Sequence, residues 1–302
     1  MANTAGTILV AGAINTDLVA TVARAPLAGE TVTGTSFAIH GGGKGANQAV
    51  AVARSGGAVF FVGAIGDDDF GRARLDGLRA DGIDTGWVTL HDREPSGVAL
   101  ILVEDGGENR IAYVPGATRT VSPSHLDSAF AKIQPSFVLA TNELPHDALG
   151  ALFAAARSAA ATVVFNATPE PETARDLVHN VSILIVNEGE AAILLDVEAV
   201  ADPEVAVASL LELGPDTVIL TAGAKGACAG TGLGVDWHRP PSVKVVDTTG
   251  AGDTFCGAFV SELARGASIN EAARYGVLAS ALSVTRPGAQ SSIPTRAEIR
   301  QR

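Results

Sequence analysis

The chain of 302 residues has few aromatic side chains, 5%, and a single methionine. Its core must therefore be built from Ala, Val, Leu and Ile, which make up most of the 47% apolar content. Charged residues are scarce at 18%, and this with the high apolar content excludes a disordered chain. The two cysteines, Cys228 and Cys256, have no metal-site spacing and are too few for a disulfide framework. Cys256 reads as a small buried thiol rather than a redox group. A surplus of basic residues is also missing. Net charge is -12, which argues against nucleic acid as a partner. It still permits an anionic ligand, because helix N-termini and bound cations neutralise phosphates locally.

No run is apolar enough for a membrane span. The nearest, residues 148–165, holds Arg157 and Ser158 and reads as a buried helix entering a strand. Residues 1–7 lack a basic start and an apolar core, so no leader and a cytoplasmic location are expected. Two nucleotide signatures are absent as well. Lys44 is followed by Gly45 rather than Ser or Thr, and no Gly stands at residue 38, so the glycine cluster 41–45 is not a P-loop. The dinucleotide glycine spacing is missing after the first strand, which leaves little support for an oxidoreductase.

What is present centres on Asp247-Thr248-Thr249-Gly250-Ala251-Gly252-Asp253. The following Phe255, Phe259 and Leu263 lie on one helical face, so the small-residue turn sits at a helix N-terminus. Free N–H groups and the positive dipole end attract an anion there. Asp253 stands in the same first turn. An anion cradle beside a general base suits phosphoryl transfer, although capping alone would explain the same residues.

Strand-like and helical stretches alternate along the chain. Residues 7–12, 136–140, 162–165, 183–186 and 217–221 read as buried strands. Stretches 46–54, 145–160, 203–213, 253–265 and 270–285 read as helices, and Ser122-Pro123 as a helix start. The pattern predicts an α/β fold of three αβα layers around a central, mostly parallel sheet. Polar residues mark successive strand ends: Asn15 and Asp17, Glu143, Asn166, Asn187 with Glu190, and Thr221. Together they predict one polar cleft along the carboxyl edge of the sheet. Taken singly, each is equally a turn former or cap. Asn187 and Glu190 offer oxygens suited to Mg2+ or its waters.

Two β-rich tracts, about residues 16–40 and 95–116, interrupt the alternation and predict a small β-sheet lid within a single domain over 1–302. Between them, Gly41 to Gly45 let a ligand approach the backbone at a helix start, with Lys44 and Asn47 on one face. A tight turn with a solvated lysine is the plainer alternative. Thr221, Gly223 and Gly226 follow the last strong strand and suit a phosphate or ribose, or simply a turn. The loop from Arg286 to Ser292 is rich in oxygen donors that suit a hard cation.

Gly41-Gly42-Gly43-Lys44-Gly45-Ala46-Asn47-Gln48-Ala49 and Asp247 to Phe255 resemble the two signatures of the ribokinase-like (PfkB) carbohydrate kinases, and similarity extends over nearly the whole chain. The resemblance implies ATP-dependent phosphorylation of the 5-hydroxyl of D-ribose. Kinases of deoxyribose, fructose, ketodeoxygluconate or nucleosides share the second signature. A non-catalytic sugar-binding protein on the same scaffold is a distant alternative.

By matched position, Asn15, Asp17, Gly42, Gly43, Lys44, Asn47 and Glu143 would hold the sugar. Asp253 would be the base, and Gly250, Ala251 and Gly252 the anion hole. Asn187 and Glu190 would organise Mg2+ and phosphate, while Thr221, Gly223, Gly226 and Gly252 would lie along ATP. A K+ site would use Asp247, Thr249, Ser283, Arg286, Gly288 and Ser292. The lid would pair with that of a second subunit in a homodimer. One departure stands out: Gly116-Ala117-Thr118, where relatives often carry Gly-Ala-Asn.

Overall fold

The computed structural model describes residues 6–301. The expectation about a leader falls mostly on residues 1–5, outside the described residues. The chain opens with β1 (Thr7–Ala11) and passes into β2 (Asn15–Val22), β3 (Gly34–Gly42) and α1 (Lys44–Arg54). Next come β4 (Ala58–Gly66), α2 (Asp69–Ala80), β5 (Asp84–His91), β6 (Gly97–Glu104) and β7 (Asn109–Val114). A regular series follows: α3 (Pro123–Ile133), β8 (Phe137–Thr141), α4 (His146–Ser158), β9 (Thr162–Asn166), α5 (Pro171–Val178) and β10 (Ile183–Asn187). It continues with α6 (Glu188–Leu195), α7 (Pro203–Leu211), β11 (Thr217–Thr221), β12 (Ala227–Thr231) and β13 (Gly234–His238). The C-terminal part is helical: α8 (Ala251–Leu263), α9 (Ile269–Ser283) and α10 (Arg296–Arg300).

Nine strands form one sheet in the order β13-β12-β11-β10-β9-β8-β1-β4-β5, parallel except for β12 and β13. Successive residues of β1 point to opposite faces and both faces are dry. Ile8 and Val10 pack with α1, α2, α8 and α9. Leu9 and Ala11 pack with α3 to α7. Burial on both sides is why these strands read as continuous apolar runs. The three expected layers are present. Local signals set several boundaries. Ser122 accepts from the His125 N–H with Pro123 at the first position of α3. Asn187 and Glu190 cap α6 reciprocally, as do Ser268 and Glu271 for α9.

A second sheet, β3-β2-β6-β7, stands apart. It corrects the reading of Asn15 and Asp17 as the polar end of the first strand. They lie on β2, which starts only four residues after Ala11 and belongs to this second sheet. The pattern over 15–22 alternates too weakly to mark a strand. Pairing on both sides, with β3 and β6, supplies the order that the sequence does not announce. Helices α1 and α8 each begin two residues earlier than their apolar periodicity, at Lys44 and Ala251. In both, the first turn holds glycine and alanine but no large apolar residue to signal it.

Candidate active site

The carboxyl ends of β1, β8, β9, β10 and β11 converge on the N-termini of α1 and α8. Gly43 caps the start of α1, and its φ of 90° and close approach to the Ala13 carbonyl suit only glycine. The Glu143 carboxylate closes this N-terminus. It accepts from the N–H groups of Ala13 (2.9 Å), Lys44 (3.0 Å) and Gly45 (2.9 Å), and from the Thr141 hydroxyl (2.8 Å). Glu143 therefore first holds the glycine turn, a role its place at a strand end does not reveal. Burial raises its pKa against these bonds.

Asp253 lies in the first turn of α8 and is buried. Asn47 Nδ2 donates to its Oδ2 at 2.9 Å and Gln48 Nε2 to its Oδ1 at 3.1 Å. Burial pushes its pKa up, opposed by the Lys44 charge and these two donors. For Lys44, burial would lower the pKa, but the charges of Asp253, Glu143 and Glu190 win and raise it. Helix α8 opens at Gly250, with φ 71° in the left-handed region. The Ala251 N–H is already engaged by Thr248 O at 3.2 Å, so it is the least free of the expected anion-hole donors. A Cβ on Gly252 would meet nothing within 4 Å, so this residue borders open space.

Two adjoining cavities meet at Thr221, Thr248, Ala251 and Gly252. The first, about 230 Å³, is polar and is lined by Lys44, Asn166, Thr168, Asn187, Glu190, Gly250 and Asp253. The second, about 580 Å³, is mainly apolar and is lined by Gly223, Gly226, Pro240, Pro241, Val243, Val245, Phe255, Val277, Ala281 and Val284. The sequence reading names none of the latter residues beyond the glycines and Phe255. They come from two distant segments, 240–245 and 277–284, whose only shared signal is apolarity.

On the other side of Asp253, Asp17 of β2 projects beneath the second sheet. Burial pushes its pKa up to about 6, with His40 and Arg74 opposing and Glu143 and Asp253 adding. The buried oxygens Asn15 Oδ1, Asn47 Oδ1 and Thr118 Oγ1 make no well-formed hydrogen bond among the described residues, and the Tyr113 hydroxyl lies beside Asn15 and Thr118. Unpaired buried acceptors are costly, and hydroxyl donors from a ligand would satisfy them.

Asp247 joins the α8 entry to the 286–292 loop. Its Oδ1 accepts from the Thr249 N–H (2.9 Å) and hydroxyl (2.6 Å), and its Oδ2 from the Gly288 N–H (2.7 Å). Burial opposes ionisation, but these bonds outweigh it and hold the pKa low. Arg286 turns away to pair with Glu298, and its N–H takes the Ser283 carbonyl at 3.0 Å. The Ser292 hydroxyl donates to Ala289 O at 2.8 Å. Asp247, Thr249 and Gly288 are thus directly linked, whereas the Arg286 side chain is committed elsewhere.

A family model for pfkB family carbohydrate kinases matches residues 5–296. The chain belongs to this family. Within it, a ribokinase of Haemophilus influenzae is 40% identical over 97% of this chain and 96% of its own. A Bacillus subtilis ribokinase is 37% identical over 97% and 98%. Among solved structures, Arabidopsis thaliana ribokinase complexed with ribose and ATP superposes with a TM-score of 0.88 at 29% identity, covering 98% of both chains. For a pfkB kinase, the polar and apolar cavities on the two sides of Gly252 are the ground on which a phosphoryl donor and its base are to be placed.

Proposed function

We propose that the protein is a ribokinase, transferring the γ-phosphoryl group of ATP to the 5-hydroxyl of D-ribose. One observation carries the reading: Asp253 stands between the polar atoms beneath the second sheet that lack a well-formed hydrogen bond and the cavity pair suited to a nucleotide. The relatives named ribokinase and the Arabidopsis complex with ribose and ATP support the choice of substrates.

Asp17, Asn15, Asn47 and the backbone of Gly42 and Gly43 hold the sugar. An ionised Asp17 accepts from two hydroxyls. Asp253 takes the proton from the attacking hydroxyl as the oxygen bonds to phosphorus. Lys44 and the first-turn N–H groups of α8 meet the charge on the transferring group, with Gly252 leading. The adenine lies in the apolar cavity past Gly223 and Gly226. Asp253 then gives the proton up to solvent, which restores the base, and ADP leaves through that cavity.

The donor chemistry fits both expected cations. Glu190 and Asn187 present oxygens to the polar cavity and would hold Mg2+ through water. Bound Mg2+ supplies charge neutralisation on the phosphates. Asp247, Thr249 and the carbonyls of the 286–292 loop would hold K+, which would stiffen the α8 entry. The Arg286 and Ser283 contribution is then through backbone alone.

The four-stranded sheet serves as the lid over the sugar. Its face opposite Asp17 exposes Phe37, Ile39, Leu100 and Val114, which supports a homodimer through this sheet. No described helix is long and apolar enough to cross a membrane. A cytoplasmic location fits ATP as co-substrate. The test is a coupled assay with Mg-ATP and K+ over ribose, deoxyribose, fructose and adenosine. The highest kcat/KM is expected for ribose, and no turnover on any of them would reject the reading.

A further inference from the structure

Gln48 follows Asn47 on α1 and is fully buried. Its Nε2 lies 3.1 Å from Asp253 Oδ1 and 2.9 Å from Asn166 Oδ1. Asn166 is itself anchored, because its Nδ2 donates to the main-chain carbonyl of Ile185 at 3.1 Å. A carbonyl only accepts, so the end of Asn166 facing Ile185 is its NH2 and the end facing Gln48 is its oxygen. That settles Gln48 as well. A reversed amide would set its oxygen against two acceptors, Asn166 Oδ1 and Asp253 Oδ1. The chosen orientation has a visible consequence: Gln48 Oε1 is buried and accepts nothing among the described residues. The side chain leaves its own oxygen unsatisfied while both its N–H bonds are placed.

We propose that Gln48 is a positioning residue for the base, fixing the rotation of the Asp253 carboxylate through the chain Ile185–Asn166–Gln48. The proposal rests on the reading of Asp253 as that base. Asn47 and Gln48 are consecutive, so their side chains leave α1 in different directions and reach different oxygens of one carboxylate. Rotation of that carboxylate breaks both bonds. Each oxygen keeps a lone pair for an incoming hydroxyl.

Donors to the charged form favour it. The other titratable groups facing Asp253 are Lys44 from α1, Asp17 from β2, Glu190 from α6 and Cys256 from α8. Of these only Lys44 works in the same direction as Gln48. Burial and the two carboxylates work against both. Losing Gln48 therefore leaves Asp253 protonated over a wider pH range.

The test is kcat for ribose phosphorylation against pH in Gln48→Met, which keeps the length and removes both donors. The acidic limb should move up by about one pH unit, with kcat falling about tenfold below it. At the alkaline plateau kcat should recover to within about threefold of wild type, a recovery that a merely structural lesion would not give. KM for ribose should change less than kcat. Asn166→Leu frees Gln48 without touching Asp253 and should move the limb the same way, by less. Gln48→Glu adds a like charge and should move it further. If Gln48→Met fails to fold on thermal melting, these two variants decide. A limb that stays in place, with uniform loss at every pH, overturns the proposal. A wild-type protein that phosphorylates none of ribose, deoxyribose, fructose and adenosine rejects the kinase reading instead, so the two failures remain distinct.

Discussion

The Asp17 carboxylate lies against the Cα of Gly42: a Cβ at Gly42 would stand 2.2 Å from Asp17 Oδ1. The glycine therefore sets where the carboxylate can be. Gly42→Ala should displace Asp17 rather than unfold the chain, because the short side chain is the part that can yield. KM for ribose should rise about tenfold or more with a smaller change in kcat, as for lost ground-state binding. Steady-state kinetics with a melting curve checks this, and an unchanged KM would remove Asp17 from the sugar site.

The pKa of Asp17 gives a pH dependence of known sign. It stands at about 6 in the fold against 3.8 for a free aspartate side chain, so between these values the folded chain holds a proton that the unfolded chain has released. This group's contribution to stability therefore declines as pH rises through that window. Sugar binding runs the opposite way, since hydroxyls donate to the ionised form. KM for ribose should rise as pH falls below about 6, approaching tenfold per unit. Asp17→Asn should flatten that dependence while weakening binding at neutral pH.

Asp253→Asn should lower kcat by about 10²- to 10⁴-fold, the range for a lost general base. Calorimetry should show a much smaller loss of ribose affinity, because Asp17, Asn15 and Asn47 remain. Near-normal turnover in this variant would mean that another group takes the proton.

Ala281 borders the apolar cavity about 580 Å³ in volume, away from Asp17. Ala281→Phe should fill part of it and raise KM for ATP about tenfold or more, leaving KM for ribose nearly unchanged. Parallel rises in both would place this cavity elsewhere in the mechanism.

Asp247→Ala removes three hydrogen bonds that join Thr249 to Gly288. K+ should raise the melting temperature of the wild-type protein above that measured in a large organic cation, and the variant should lose most of that rise. Equal shifts in both proteins would move the cation site away from Asp247.

The fold was largely legible because buried parallel strands are written as apolar runs. Residues 217–221 match β11 at both ends, and Ser122-Pro123 marks α3 correctly. The β-rich tract over about 16–40 announced the second sheet, but not where β2 begins or which strands it pairs with. Its residues 15–22 become a strand only through partners in β3 and β6, more than ten residues away. The apolar cavity was equally hidden, since Pro240, Val277 and Ala281 are unremarkable alone.

By itself the sequence determined which residue types stand at the strand ends and at the two glycine-rich helix starts. It also determined the acidic group of α8, because each of these follows from local chain chemistry. Only the tertiary structure decided their partners. It gave Glu143 to the backbone of α1, set Asn47 and Gln48 on opposite oxygens of Asp253, and turned Arg286 to Glu298. The physical reason is that a hydrogen bond between residues some two hundred positions apart, such as Gln48 and Asp253, leaves no periodicity in the chain. It exists only once two helices and a sheet edge have been brought together by the burial of their apolar faces.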